Sequence, residues 1–132
     1  MNSAEEIQHI NPEGLMQPIA YTHVVRHNNL LFLSGQVSVD AEGNLIGEGD
    51  MRAQVRQVLE NMKTALASQG ADLSRIVKIT IYTTDMDAYL TTGDISREYW
   101  PAGAPANTLV QIQRLARPDF LVEIDSTAIA PG

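Results

Sequence analysis

Polar and apolar residues alternate along several stretches of the chain, and one longer stretch has the spacing of a helix. The period of two predicts strands over residues 21–26, 30–39, 76–84, 107–113 and 120–125. One helix face is predicted by the apolar residues Met51, Val55, Val58, Leu59, Met62, Ala65 and Leu66. Asp50 is placed to cap the start of this helix, and Gly70 to end it. A second helix is predicted over residues 87–100.

The first part of the chain shows turn and loop signals. Residues 1–18 contain several Asn, Pro and Gly residues, which predict an irregular arm. The sequence His27-Asn28-Asn29 predicts a tight turn between the first two strands, because Asn tolerates a positive φ. Gly35 interrupts the second strand, which is typical of a bulge or of a close approach by another group.

The last two predicted strands are joined by a short polar connection that contains Pro118. This pattern predicts an antiparallel hairpin or its near equivalent. Glu123 and Asp125 share one side of the last strand with Leu121, and the other side is wholly apolar. Carboxylates in this position are either solvated or held in a pocket, and the pattern leaves both interpretations open.

The predicted order of elements is strand, strand, helix, strand, helix, strand, strand. Two helices are too few to cover both faces of a sheet with five or six strands. One face of the sheet is therefore expected to be apolar and uncovered, which calls for a partner subunit.

Composition and charge narrow the classes of function. The 132 residues fit one domain, residues 1–132, and the 44% hydrophobic content suits a folded core. The absence of cysteine excludes disulfides, thiolate metal sites and a catalytic thiol, and the three histidines lack metal-ligand spacing, so no cofactor or metal is expected. There is no apolar segment of signal-peptide or membrane-span length, so a cytoplasmic protein with no membrane partner is expected. The net charge of −7 argues against a nucleic-acid partner.

A series of short motifs extends over most of the chain. The motifs are Tyr21, Val24-Val25-Arg26, Phe32-Leu33-Ser34-Gly35-Gln36, residues 54–70, Ile76-Val77-Lys78-Ile79-Thr80, Pro105-Ala106-Asn107-Thr108-Leu109-Val110 and Leu121-Val122-Glu123-Ile124. Together they resemble the RidA/YjgF family of reactive-intermediate deaminases. Their order and spacing, rather than any single motif, carry the resemblance. It implies an α+β, chorismate-mutase-like fold, in which a mixed β-sheet is packed on one face by two helices. It also implies a homotrimer with its sites in clefts between subunits.

The resemblance also implies the residues of the site. Deaminases of this family line the cleft with a tyrosine, a serine, an arginine and a glutamate, and three of these match Tyr21, Ser34 and Glu123. These three are the predicted catalytic residues, with Glu123 as the general base that holds the hydrolytic water. The arginine position is occupied by Asn107, whose neutral amide cannot form a bidentate ion pair. The usual 2-iminopropanoate and 2-iminobutanoate are therefore not the expected substrates.

Further residues are predicted to bind the small-molecule ligand. Gly35 would allow close approach to the backbone, and Thr108 and Trp100 are expected to contact the ligand beside Asn107. Arg97 and Arg114 are candidate anion anchors in place of the missing arginine, with solvated surface positions as the simpler interpretation.

Three classes of function follow. The first is a hydrolytic deaminase that acts on a small enamine, an imine or a related unsaturated amine in an inter-subunit cleft. The second is a trimer that binds a small metabolite without catalysis. The third is an endoribonuclease, which is the weakest of the three because the chain has no basic groove.

Overall fold

The computed structural model describes residues 6–132, and a six-stranded mixed sheet is its centre. The strands are β1 (Gln8–Ile10), β2 (Val24–His27), β3 (Leu30–Gln36), β4 (Ile76–Thr83), β5 (Ala106–Gln111) and β6 (Val122–Ile129). The helices are α1 (Met51–Ala67), α2 (Met86–Leu90) and α3 (Gly93–Tyr99), with a 3₁₀ turn at Leu73–Arg75. The spatial order is β1-β2-β3-β6-β4-β5, and within residues 6–132 only the pair of β4 and β5 is parallel. The predicted α+β fold with a mixed sheet is confirmed.

Helix α1 forms as its sequence predicts. The Asp50 side chain accepts a hydrogen bond from the Ala53 N–H (3.1 Å), which satisfies one of the free donors at the helix start. At the other end, Gly70 has a φ of +69°, and the Ala71 N–H donates to the Leu66 carbonyl (3.0 Å). This is a Schellman C-cap, for which glycine is the favoured residue. All seven residues of the predicted apolar stripe are buried.

The two faces of the sheet differ in their cover. One face packs against α1 and is called here the helix-covered face. The opposite face is called the open face, and Leu30, Phe32, Glu123, Asp125 and Ile129 lie on it. On β3, Leu31 is 0% exposed whereas its neighbour Phe32 is 46% exposed. The predicted uncovered face, with apolar side chains in solvent, is therefore present in the protomer.

The predicted hairpin between the last two strands is wrong. β5 pairs in parallel with β4 at the edge of the sheet, and β6 lies between β3 and β4, antiparallel to both. Residues 112–121 carry the chain across β4, and such a connection is longer than the loops that close hairpins. This placement buries the apolar side of β6 in the middle of the sheet, where Val122 and Ile124 are fully or almost fully buried.

The second predicted helix is divided into α2 and α3 at Thr91 and Thr92. Each threonine hydroxyl donates to a backbone carbonyl three residues earlier, Ala88 and Tyr89 respectively (both 2.7 Å). Side-chain bonds of this kind compete with helix continuation, so the chain turns and restarts at Gly93. Within residues 6–132, no helix has the length and apolar character needed to cross a lipid bilayer.

Two smaller predictions need correction. The N-terminal arm is not wholly irregular, because Gln8–Ile10 forms β1 and pairs with β2; its first residues, 1–5, lie outside the described part of the chain. Strict alternation along the predicted strand 76–84 would put Val77 on the same face as the buried Ile79 and Ile81, but Val77 is 45% exposed. A register shift between Ile76 and Lys78 turns Val77 away from that face.

Two buried amides on α1 hold the loops that follow β3 and β5. The Gln54 side chain donates to the carbonyls of Gly47 and Asp119 (both 3.0 Å) and accepts from the Leu121 N–H (2.8 Å). The Asn61 side chain donates to the carbonyls of residues 37 and 39 (both 3.0 Å). Buried polar groups are stabilising when they are bonded in this way, so α1 fixes both loops relative to the sheet.

Candidate functional site

A cavity of about 430 Å³ opens where β3 is irregular. It is called here the Glu123 cavity, and its lining residues are Met16, Tyr21, Ser34, Gly35, Val37, Val39, Ala116, Arg117, Phe120 and Glu123. Most of the wall is apolar, and a few polar side chains converge in it. This combination is typical of sites that bind small molecules.

The carboxylate of Glu123 lies directly over Gly35. The pairing of β3 with β6 shifts register between Leu33 and Gln36, which creates a bulge at this point. A Cβ atom at position 35 would lie 2.8 Å from Glu123 Cγ and closer still to the carboxylate. Only glycine therefore leaves room for Glu123 in this position, which gives a physical reason for the interruption seen in the sequence.

The surroundings of Glu123 favour its protonated form. Burial raises the pKa of Glu123, and the negative charge of Asp125, two residues along the same face of β6, raises it further. Burial also raises the pKa of Tyr21, with the negative charge of Glu123 as the second cause. A carboxylate with a raised pKa is a better proton acceptor than an ordinary one, and it has a phenol nearby.

Ser34 and Tyr21 are positioned through His23. The Ser34 hydroxyl donates to the Thr22 carbonyl, and the Ser34 N–H donates to the His23 carbonyl (2.9 Å). The rings of Tyr21 and His23 meet edge to face, with their centroids 5.5 Å apart. Since a hydroxyl that donates can still accept, Ser34 could receive a hydrogen bond from a bound molecule.

His23 is a core residue and not a wall of the cavity. Its Nε2 lies 2.7 Å from the Met16 carbonyl and must donate to it, so Nδ1 is left to accept from the Gln36 side chain (3.0 Å). Both ring nitrogens are therefore used, and the ring is 4% exposed. Its role is to orient Tyr21 and the backbone that carries Ser34.

Arg117 is a cavity residue that the sequence interpretation did not identify. Its Nη1 donates to the Gly43 carbonyl (3.0 Å), and its guanidinium carbon lies 4.5 Å from the centre of the Phe120 ring. The candidate anchors Arg97 and Arg114 do not line the Glu123 cavity. Arg114 donates instead to two backbone carbonyls of its own loop (both 3.1 Å). The loop position of Arg117, outside any periodic element, explains why no pattern pointed to it.

Asn107, Thr108 and Trp100 lie away from the Glu123 cavity. Asn107 is on β5 opposite Ile79, which places it on the helix-covered side, whereas Glu123 is on the open face. β4 lies between β5 and β6, so the two strands are about 10 Å apart. Within one protomer, Asn107 and Glu123 therefore cannot contact the same small molecule.

Trp100 and Thr108 make contacts within the protomer that stabilise the fold. Trp100 is buried, and its Nε1 donates to the Leu73 carbonyl (2.9 Å). It shares a separate small cavity of about 50 Å³ with Asn107. Thr108 lies on the open face of β5 and accepts a hydrogen bond from Lys78 Nζ (2.8 Å). No group of three or more metal-ligating side chains in residues 6–132 is arranged to hold an ion.

Comparison with known proteins shows relatives over nearly the whole chain. The family model described as Endoribonuclease L-PSP matches residues 15–130. A RutC family protein of Pyrococcus horikoshii is 35% identical over 117 residues, covering 88% of this chain and 92% of the relative. The 3-aminoacrylate deaminase RutC of Acinetobacter baylyi is 34% identical over 120 residues, covering 90% of this chain and 94% of the relative.

Solved structures agree with the sequence relatives. The crystal structure of RidA from the Antarctic bacterium Psychrobacter sp. PAMC 21119 superposes with a TM-score of 0.85 at 27% identity, covering 92% of this chain and 98% of the other. The Rid protein family member YyfA of Yersinia pestis superposes with a TM-score of 0.87 at 29% identity, covering 95% and 100%. Matched along almost its full length by the family model, by curated relatives and by these structures, the chain belongs to the RidA/YjgF family.

Proposed function

We propose that this protein is a hydrolytic deaminase of a small enamine or imine, with Glu123 as its general base. The observation that carries the proposal is the position of Glu123, which lies over Gly35 in an apolar cavity that raises its pKa. Tyr21 and Ser34 line the same cavity. A relative that is 34% identical carries the name 3-aminoacrylate deaminase, which is an activity on a substrate of this kind.

The proposal includes a homotrimer. The open face exposes Leu30, Phe32 and Ile129, which are the side chains that a partner subunit would cover. β5 is an edge strand, and it carries Asn107 and Thr108. In a trimer, this edge would meet the Glu123 cavity of the neighbouring subunit and present Asn107 to it, with Thr108 on the opposite side of the strand. Trp100 would contribute indirectly from the core, because it lines the same small cavity as Asn107 and would help to position it.

The proposed reaction uses one water and releases one ammonia. An enamine first accepts a proton on the carbon next to the C–N carbon, which converts it to an iminium ion. Glu123 then removes a proton from water while the water oxygen bonds to the C=N carbon, and this gives a carbinolamine. The proton held by Glu123 passes to the nitrogen, the C–N bond breaks as the hydroxyl releases its proton, and the products are a carbonyl compound and ammonia. Tyr21 and Ser34 orient the water and the nitrogen through hydrogen bonds.

Asn107 affects which substrates the cleft would accept. An amide has one donor group where the related deaminases have a bidentate cation, and a neutral hydrogen bond is about 1–2 kcal/mol weaker than a charged one. The usual 2-imino acids should therefore be poor substrates unless another cation binds their carboxylate.

The test is a panel of enamines and imines, neutral and anionic, generated in the assay, with ammonia release as the measurement. We expect turnover of at least one member by the wild type, and a fall of about 10²–10⁴-fold in Glu123→Gln, which keeps the shape but removes the base. Light scattering should give a trimer for both proteins.

Each alternative function has its own outcome in this test. Binding of a panel member with no turnover by the wild type would replace the deaminase with a metabolite-binding trimer. Cleavage of a single-stranded RNA included in the panel would support the endoribonuclease that the family model's description names. Unchanged turnover in Glu123→Gln, or a monomer in solution, would contradict the proposed site.

A further inference from the structure

We propose that Arg117 binds the anionic group of the ligand, so that the Glu123 cavity selects small unsaturated carboxylates through a cation of its own subunit. This inference rests on the proposed function for the reaction, but the binding itself can be tested without turnover. Nothing in the motifs of the family points to this arginine, since it lies in the loop between β5 and β6.

Arg117 has a fixed position in the cavity wall. One side of the guanidinium is anchored to the Gly43 carbonyl (3.0 Å), and its central carbon lies 4.5 Å from the centre of the Phe120 ring. The Phe120 ring is itself buried. The loop backbone on either side is held by Gln54, which bonds to the carbonyl of Asp119 and the N–H of Leu121. A cation that is already positioned loses less side-chain freedom when it binds a ligand.

The charge of Arg117 is only weakly compensated inside the protein. Within residues 6–132 its carboxylate partner is Asp119, at 3.8 Å from Nε, and both side chains are about half in solvent. Within residues 6–132, the buried Nε has no hydrogen-bond partner and the guanidinium donates from Nη1 alone, so part of its donor capacity is unused. An exposed ion pair at this distance contributes little, so a ligand carboxylate could compete with Asp119.

Arg117 and Glu123 line one cavity without forming an ion pair with each other. Two groups of opposite charge at separate points of an apolar cavity can bind the two ends of one small molecule. The carboxylate of the ligand would face Arg117, and its amine-bearing carbon would face Glu123 and Ser34. The cavity volume of about 430 Å³ is ample for a carboxylic acid of three to five carbons.

Arg117 would take over the carboxylate-binding role of the missing arginine, but from a different position in the cleft. Asn107 has a neutral side chain on the edge strand, whereas Arg117 comes from the same protomer as Glu123. The cleft would therefore still select an anionic ligand, but the ligand carboxylate would be bound from the opposite side of the cleft. Substrates whose carboxylate and amine are separated by a different length than in 2-imino acids would then be preferred, as in a 3-amino-2-alkenoate.

The experiment measures binding by calorimetry with crotonate and with its neutral isostere, crotonamide. Neither compound carries an amine or an imine on its alkene carbons, so neither can undergo the proposed deamination, and the experiment measures binding alone. The full-length wild type should bind crotonate about tenfold or more tightly than crotonamide, because a charge-assisted bond to a carboxylate replaces a neutral one. Arg117→Gln should bind the two compounds equally, with its affinity for crotonamide unchanged.

Two further variants serve as controls. Arg114→Gln removes a neighbouring arginine that bonds only to backbone carbonyls and does not line the cavity, and it should keep the preference for crotonate. Arg117→Lys keeps the charge but not the planar fork, and its preference should be reduced without being lost. This second variant also covers the case in which Arg117→Gln does not fold, as judged by thermal unfolding.

The outcomes separate this inference from the proposed function. A wild type without preference for crotonate, or a preference that survives in folded Arg117→Gln, overturns the role of Arg117 even if the enzyme deaminates a neutral substrate. A preference that depends on Arg117 supports the role even if no member of the panel is turned over. Where an anionic substrate is found, Arg117→Gln should raise its KM and leave kcat nearly unchanged.

Discussion

The two faces of the sheet are made from the same strands but serve different purposes. On the helix-covered face, Leu31, Val122 and Ile124 are buried within the protomer and need no further partner. On the open face, Phe32 is in solvent, and Glu123 lies close to a second carboxylate. Because side chains alternate along a strand, neighbouring residues can be assigned to stability and to function independently. The first face forms the core of the protomer, and the second carries the proposed site and the proposed surface for assembly.

The strongest way to test this division is to truncate two consecutive residues of β3. Leu31→Ala should lower the free energy of unfolding by about 2–5 kcal/mol, because Leu31 is 0% exposed and its removal leaves a cavity. Phe32→Ala should cost the protomer much less, since the Phe32 side chain is 46% exposed, but it should weaken subunit association. Chemical denaturation and light scattering measure the two effects. Equal losses of protomer stability would show that the faces are not independent.

A methyl group at position 35 tests the site on the open face. Gly35→Ala places a Cβ atom 2.8 Å from Glu123 Cγ, so the carboxylate must move. A displacement of about 1 Å in a catalytic group can cost about a hundredfold in rate, and we expect a loss of that size in kcat/KM. Gly103→Ala is the matched control, because nothing lies within 4 Å of the added atom there. Normal activity in Gly35→Ala would mean that Glu123 can work from another position.

Asn107 on the edge strand β5 offers a test of whether a neighbouring subunit contributes to the proposed cleft. Asn107→Arg puts a bidentate cation where the resemblance to the family's deaminases implies an arginine, and it should raise activity on 2-imino acids by about tenfold, the equivalent of 1–2 kcal/mol. Asn107→Gln lengthens the side chain without adding charge and should give no gain. Ammonia release from 2-iminopropanoate made in the assay is the measurement. A fully active wild type on this substrate would contradict the expected selectivity.

The smallest effect is expected from the second carboxylate of the open face. The charge of Asp125 raises the pKa of Glu123, after the larger effect of burial, so Asp125→Asn should lower it. Since a general base works when it is deprotonated, the acid limb of the kcat/KM profile should move to lower pH. The pKa of Tyr82, which is raised first of all by Asp125, should also fall, and ultraviolet titration measures this directly. Asp87→Asn, on the surface of α2, should leave both pKa values unchanged.

Local sequence predicted α1 well because the causes of this helix are local. The cap at Asp50, the glycine at position 70 and the apolar stripe of α1 depend on residues within a few turns of one another. The interruption at Gly35 was also visible, although the group that leaves room only for glycine there, the side chain of Glu123, lies far away in the sequence.

Strand neighbours and loop residues could not be predicted in this way. The alternation on β6 indicated which side would be buried, but it contained no information on whether β5 or β3 would lie beside it. The separation of Asn107 from Glu123 follows from that order. Arg117 lies in a loop, and its place in the cavity depends on contacts with Gly43, Phe120 and α1 that are distant in sequence or not periodic.

The buried amides of α1 have an evolutionary consequence. Gln54 and Asn61 hold the two loops of the cavity wall through backbone carbonyls and one backbone N–H, and not through loop side chains. Nearly every amino acid supplies these backbone groups, so the loop sequences can change while their paths are kept. A position such as 117 can therefore gain or lose a charge while the backbone path of its loop is kept. Within a family that shares one scaffold, substrate preference could diversify by single substitutions in these loops.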